Sequence, residues 1–225
     1  VDLSQHGHKV SLLIQSELGA SEFPSAEQYQ KHKFQLQQDK TMVFTHINRL
    51  LRCVVDCQIH NEDGIAVRNA LELSRSFAGR AWENSPLQMK QIDQIGIVAV
   101  RRLASAGITS IQELEETEAH RIDTLLSKNP PFGTKLLSRL ADFPKLRVTI
   151  KMIGKVRSSL LKDIEIGRLT ITKASRRGKS VSVNLKADIG FLNEKLPAFF
   201  QKRPVYVCSL VEISGGRLVD FRRMR

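Results

Sequence analysis

The hydrophobic period of this sequence changes at Pro144. Before that proline, apolar residues recur every three or four positions, the period of an amphipathic helix. From Lys145 they alternate: Leu146, Val148, Ile150 and Met152 are separated by Arg147, Thr149 and Lys151. That is the period of a half-buried strand. Helices and strands segregated along one chain predict an α+β multidomain fold rather than an alternating βαβ sheet.

The helical part divides in two. Residues 1–85 read as a helical bundle. His8–Leu18 is an amphipathic helix ended by Gly19, Phe23-Pro24 breaks the chain, and residues 25–28 can cap a second helix. Asp39 fits the N-cap of a third, along which Val43, Ile47, Leu50, Val54 and Cys57 form a stripe. Cys53 and Cys57 lie one turn apart with His46 and His60 nearby, but no second cysteine pair completes a zinc motif. They read as small buried residues of an apolar helix, and no metal is expected. After the turn Asn61–Gly64, Ile65–Trp82 is expected to be one helix. Its core face is Ala66, Ala70, Leu73, Phe77 and Ala81. The other face carries Arg68, Leu71, Arg75, Gly79 and Trp82. Arginines two turns apart can meet successive phosphates, and an indole can stack on a base. The same arginines can instead pair with Glu72, and Trp82 can pack at the helix end.

Residues 86–144 form the next unit. Ser85-Pro86 starts a helix expected over Leu87–Ile95, which breaks at Gly96. A second helix, Val98–Leu103, comes at once and ends at Ala106-Gly107. Short helix, glycine turn, short helix is a helix-hairpin-helix pattern, whose turn leaves backbone N–H groups that can receive a phosphate. Arg101 and Arg102 are the nearest cations. Thr109-Ser110 with Glu113 has capping-box spacing, and helices are expected over Glu118–Lys128 and Gly133–Asp142. The unit holds seven Lys and Arg against seven Asp and Glu. That neutrality suits a packing joint as well as it suits a phosphate site.

Residues 145–225 carry 19 Lys and Arg against 6 Asp and Glu, so the whole basic excess lies here. Short strands with a Gly215-Gly216 hairpin turn predict a basic immunoglobulin-like β-sandwich, with a long loop over Lys155–Asp163. Arg176 and Arg177 form a basic turn, and Arg217, Arg222 and Arg223 make the last strand basic. Such a field attracts polyanions or acidic protein surfaces.

Absences narrow the function. No run of about 18 apolar residues predicts a membrane span, and the first residues hold no signal-peptide core. With no initiator Met, the sequence is expected to be part of a longer chain. Three cysteines make no disulfide framework, which points to the cytoplasm or nucleus. No nucleotide-binding glycine loop, hydrolase elbow or metalloprotease motif occurs, so no catalytic residues are assigned.

Three runs, LLRCVVDCQIHNEDG (50–64), AWENSPLQMKQIDQIG (81–96) and SKNPPFGTKLLSRLADFPKLRV (127–148), carry a family resemblance. They resemble the C-terminal Sec-sixty-three homology region of the meiotic crossover-promoting DNA helicases. These belong to superfamily 2, in the branch of the archaeal repair helicase and the spliceosomal unwinding helicase. The resemblance implies a non-catalytic region of a nuclear, ATP-dependent 3′–5′ DNA helicase, with ATP and Mg used by motor domains outside this sequence. It implies that residues 65–82 are a ratchet helix touching single-stranded DNA through Arg68 and Arg75, with Leu71 and Trp82, and that the hairpin around Gly96 sits near the exit of the strand. It also implies partner binding by the β domain, with MutL-type mismatch-repair heterodimers as candidates. Two alternatives fit the same residues: a scaffold binding an acidic repair partner without DNA contact, and the equivalent region of an RNA helicase.

Overall fold

The computed structural model describes residues 4–153, 161–165, 168–171, 184–194, 199–200, 203–204, 206–213 and 215–224. It divides into two compact units, residues 1–140 and 141–225. The first is helical and the second is built of antiparallel strand pairs, so the α+β expectation holds.

In the helical unit, α1 (His6–Leu18) ends at Gly19 as expected. The next helix departs from expectation. α2 runs unbroken from Glu27 to His60, 34 residues, about 51 Å at 1.5 Å per residue. Asp39 is therefore not an N-cap. Nothing between 27 and 60 is Gly or Pro, and the Asp39 carboxylate is occupied by Lys9 at 2.8 Å and Gln35 at 2.9 Å. The buried face of α2 is Lys40, Phe44, Leu51 and Val55, with Val43 and Ile47 half-buried. Leu50, Val54 and Cys57, expected on that stripe, are exposed, as is Cys53. The buried stripe is displaced from the expected one by about one residue, or 100°.

α3 (Gly64–Gly79) starts where the Asp63 carboxylate accepts the Ala66 N–H at 2.9 Å. It ends earlier than expected, because Arg80 is left-handed at φ 52°, ψ 35°. Trp82 thus lies beyond the helix and not on the arginine face. α3 buries Val67, Ala70, Ser76 and Phe77. Phe77 meets Phe44 with ring centroids 5.2 Å apart, and Leu18 and Leu51 complete this first hydrophobic cluster.

A second cluster forms from residue 89 to 140. The segment expected as an α-helix over Leu87–Ile95 is a 3₁₀ helix over Pro86–Gln91 only, with the Ser85 hydroxyl accepting from Leu87 N–H. Of the buried residues Met89, Ile92 and Ile95, only Met89 lies in this turn; Ile92 follows it in extended backbone at φ −82°, ψ 129°, so the chain leaves helical geometry before Ile95. α4 (Ile97–Ser105), α5 (Ile111–Glu115), α6 (Ala119–Leu126) and α7 (Phe132–Ala141) surround them. Gly107 at φ 85° turns the chain after α4, with Ile108 N–H closing on Leu103 O at 2.9 Å. The capping box of α5, Ser110 with Glu113, is present as expected. Buried Asp123 of α6 accepts the Gly133 N–H at 2.6 Å, holding the start of α7.

In the second unit, β1 (Leu146–Ile153) pairs with β4 (Asn184–Phe191), from Leu146↔Phe191 to Ile153↔Asn184. The Asn193 side chain accepts from Lys145 N–H at 2.9 Å and donates to Ala141 O and Phe143 O, both at 2.8 Å. The other pairs are β2 (Leu161–Glu165) with β3 (Arg168–Ile171), β5 (Phe199–Phe200) with β6 (Arg203–Pro204), and β7 (Val207–Glu212) with β8 (Leu218–Met224). Gly215 and Gly216, at φ 94° and 81°, make the β7–β8 turn, as the sequence predicts. The expected loop over Lys155–Asp163 is shorter at its end, since 161–163 are strand; 154–160 lie outside the described residues.

This packing has two measurable consequences. A Cβ on Gly133 would stand 2.1 Å from Ala119 O, a backbone atom. Gly133→Ala is expected to destabilise the helical unit by about 3 kcal/mol or more, read by urea unfolding. The second concerns Glu17. Burial opposes its ionisation, but hydrogen bonds and charge from Arg80 and Lys40 outweigh it and hold the carboxyl below its usual 4.5. The unfolded chain then takes up the proton first as pH falls. This stabilisation is full above about pH 4.5 and is lost as pH falls through the lower folded value. Urea midpoints should fall more steeply below that pH in the wild type than in Glu17→Gln.

Candidate nucleic-acid interface

The cations singled out in the helical unit sit on two helices. Arg68 and Arg75 project from α3 and are exposed. They are seven residues apart, about 10 Å along the axis. Leu71, between them, is half-buried. Arg75 is gripped side-on by Glu83: Nε donates to Oε2 at 3.0 Å and Nη2 to Oε1 at 2.8 Å. The carboxylate that meets Arg75 is thus Glu83 and not Glu72. It arrives because α3 stops at Arg80 and the chain turns back. Buried Ser76 accepts the Glu83 N–H at 3.0 Å, which fixes the return. Trp82, which precedes Glu83 in the chain, is 38% exposed and lies off the helix face.

Gly96 is the N-cap of α4, at φ −88° and ψ 177°. This is extended backbone open to any residue. No side chain caps the helix there, and a Cβ on Gly96 would meet nothing within 4 Å. The first N–H groups of α4 thus have no side-chain cap at Gly96. Arg101 and Arg102 lie further along α4. With Val98, Ser105 and Leu125 they line a shallow open depression. Arg101 pairs with the exposed Glu22. Arg102 donates to Leu126 O at 3.3 Å and Ser127 Oγ at 3.2 Å, at the end of α6. Arg121 does the reciprocal, donating to Ala106 O at 3.5 Å at the end of α4. Cations at helix C-termini are favoured by the helix dipole, so Arg102 and Arg121 have a structural task here.

In the second unit Arg222 pairs with Asp220 at 2.9 Å, and Arg223 lies over Phe221 at 5.4 Å. Arg217 sits next to the glycine turn. Arg176 and Arg177 lie outside the described residues. A basic feature that the sequence does not flag is Lys151, directly opposite Lys186 across β1 and β4, both exposed. Strand register alone could reveal it, and register is not visible in one sequence.

Among the described residues no three His, Cys, Asp or Glu side chains converge as metal ligands. Among them, too, no helix is long and apolar enough to cross a membrane. Glu22, Glu83 and Arg121 are the residues that sequence reasoning missed. Each acts across a chain reversal, at separations of 79, 8 and 15 residues, with no helical or strand spacing to announce them.

Residues 1–212 match the Sec63 Brl domain family. The chain is 34% identical over 221 residues to the ATP-dependent DNA helicase MER3 of Saccharomyces cerevisiae, a match that covers 96% of this chain and 16% of that protein. It is 30% identical over 152 residues to the probable ATP-dependent DNA helicase HFM1 of Xenopus tropicalis, covering 67% of this chain and 11% of the relative. For the HFM1 protein of Homo sapiens the values are 34% over 148 residues, 65% of this chain and 10% of the relative. The chain thus spans about a sixth or less of these relatives.

The open surroundings of Gly96 contrast with those of Gly133. Gly96→Ala is expected to cost about 1 kcal/mol or less, the loss of a glycine N-cap, while Gly133→Ala costs several times more. Parallel thermal melts of the two variants would measure it.

Proposed function

Because this chain belongs to the Sec63 Brl domain family, we propose that it is the non-catalytic C-terminal region of an ATP-dependent 3′–5′ DNA helicase acting in meiotic crossover formation. In this reading it guides single-stranded DNA and recruits partner proteins in the nucleus. ATP and Mg are used by motor domains outside the chain. The observation that carries the DNA reading is the exposed pair Arg68 and Arg75 on α3. Two guanidinium groups one phosphate-to-phosphate step or more apart on a rigid helix can follow a strand's backbone. Trp82, beyond the end of α3 and off its arginine face, is partly exposed and can offer a stacking edge. The segment from the 3₁₀ helix through α4 serves as a helix-hairpin-helix, with the N–H groups after Gly96 toward phosphate and Arg101 and Arg102, held by Glu22 and the end of α6, as the nearest cations. The β unit is read as an immunoglobulin-like domain. Arg217, Arg222 and Arg223, and the basic residues Arg176 and Arg177 of the same stretch of sequence, are the candidates for binding an acidic partner such as a MutL-type heterodimer.

A second reading has its own support. Arg75 and Arg101 are already ion-paired within the chain, and the helical unit has no net excess of positive charge. A scaffold that meets an acidic protein through the β unit alone needs nothing more from the helices. The equivalent region of an RNA helicase would present the same α3 face.

Fluorescence anisotropy with single-stranded DNA separates these readings. Three phosphate contacts predict that Kd rises roughly ten- to twentyfold between 50 and 200 mM salt. Arg68→Glu with Arg75→Glu should abolish most of that binding while leaving the helical signal intact. Binding unchanged by this pair of substitutions, or absent at low salt, would favour the scaffold.

A further inference from the structure

Glu83 has no place in a simple basic surface, since its charge opposes the ligand. Its geometry gives it another role. The Glu83 carboxylate takes the Nε and Nη2 side of the Arg75 guanidinium, with Nε also 3.1 Å from Oε1. An arginine fork has a second edge, formed by its two terminal nitrogens. Nη1 of Arg75 makes no hydrogen bond to the described residues, and the side chain is 59% exposed. The second edge therefore faces solvent while the first is clamped. Glu83 is itself anchored, by its N–H to the buried hydroxyl of Ser76. Ser76 is 2% exposed and belongs to the same helix as Arg75. A closed relay results, from α3 through Ser76 and Glu83 back to the guanidinium.

We propose that Glu83 is a positioning residue that aims the end-on edge of Arg75 at a nucleic-acid phosphate. The proposal rests on the DNA reading of α3 given above. An unpaired arginine has four side-chain torsions to freeze on binding, and Glu83 freezes them beforehand. The cost is the repulsion between its carboxylate and the phosphate. Both lie near the surface, where water and salt screen that repulsion. Preorganisation therefore outweighs it, and the bidentate fit of a guanidinium edge to two phosphate oxygens is retained.

The sign of one substitution tests this. Glu83→Gln removes a negative charge, so a generic electrostatic effect would tighten binding. A neutral amide cannot accept from both Nε and Nη2 as the carboxylate does. Single-stranded DNA binding by the 225-residue chain is expected to weaken about three- to tenfold in Glu83→Gln. The effect should vanish in an Arg75→Ala background. Glu27→Gln, the same charge change in the first turn of α2, should not weaken binding. Thermal melts confirm that each variant is folded. If Arg75→Ala weakens binding but Glu83→Gln tightens it or leaves it unchanged, the positioning role is overturned and the DNA reading stands. If Arg75→Ala itself has no effect, the role of Arg75 falls, and the positioning role with it.

Discussion

Arg80 ends α3 in the left-handed region, a conformation that costs a non-glycine residue roughly 1–3 kcal/mol. Two contacts hold it there. Its guanidinium lies 4.5 Å over the Phe44 ring and pairs with Glu17 at 3.0 Å. Phe44 is buried in the first cluster, and Glu17 also meets buried Lys40 at 3.4 Å. The strained residue is thus fastened to α1 and α2 together. The path of the next three residues depends on it. Ala81 turns inward, Trp82 leaves the line of α3, and Glu83 returns to Ser76 and Arg75. Had α3 continued, residue 83 would lie eight positions, more than two turns, along the same axis from Arg75 and out of reach.

The buried charges of the helical unit have a common logic. Lys40 is tolerated inside because Glu17 accompanies it, and a buried charge without a partner is strongly unfavourable. Asp123 is tolerated because it receives the Gly133 N–H, one of the donors that the start of α7 leaves unpaired. Each carboxylate joins one helix to the next at a place where apolar packing alone leaves direction free. Around Asp123, Gly133 brings α7 against the Ala119 carbonyl so closely that no side chain fits. The apolar clusters supply most of the stability, and these polar ties choose among the ways the helices could pack.

Much of this is legible in the sequence, and the departures share a cause. The helix-to-strand change at Pro144, the Ser110–Glu113 box, the Gly107 turn and the Gly215-Gly216 hairpin are local signals, and each appears where expected. Asp39 misleads because a residue that favours N-caps also sits well inside a helix when a neighbouring element satisfies its carboxylate. Lys9, thirty positions earlier, does so. The stripe on α2 misleads because Leu50, Val54 and Cys57 are as apolar as the residues that are buried. Composition cannot say which of two adjacent helix faces the partner will cover. Met89, Ile92 and Ile95 pass for part of one α-helix because all three are apolar and buried, but the backbone is already extended at Ile92. At the candidate site the arginines are visible in the sequence but their carboxylate partners are not, because chain reversals bring those together.

The two units present positive charge in different ways, and this bears on what each can contribute. In the helical unit the arginines are held by specific acceptors: Arg75 by Glu83, Arg101 by Glu22, Arg102 by the end of α6. Such groups generate little long-range field, but their directions are fixed. In the β unit the cations outnumber the acids threefold in sequence, and Lys151 faces Lys186 across β1 and β4. Like charges directly opposite on a sheet are destabilising. The register that imposes this pair also sets Val148 against Ile189 and Ile150 against Ala187, so apolar pairing decides the alignment and the lysines accept it. A field of this kind attracts a polyanion or an acidic surface from a distance and weakens steeply with salt. Fixed guanidinium groups instead decide where a phosphate rests once it arrives. In the proposed reading, attraction and placement therefore fall to different parts of the chain, and overall net charge reports the basic field without locating a site.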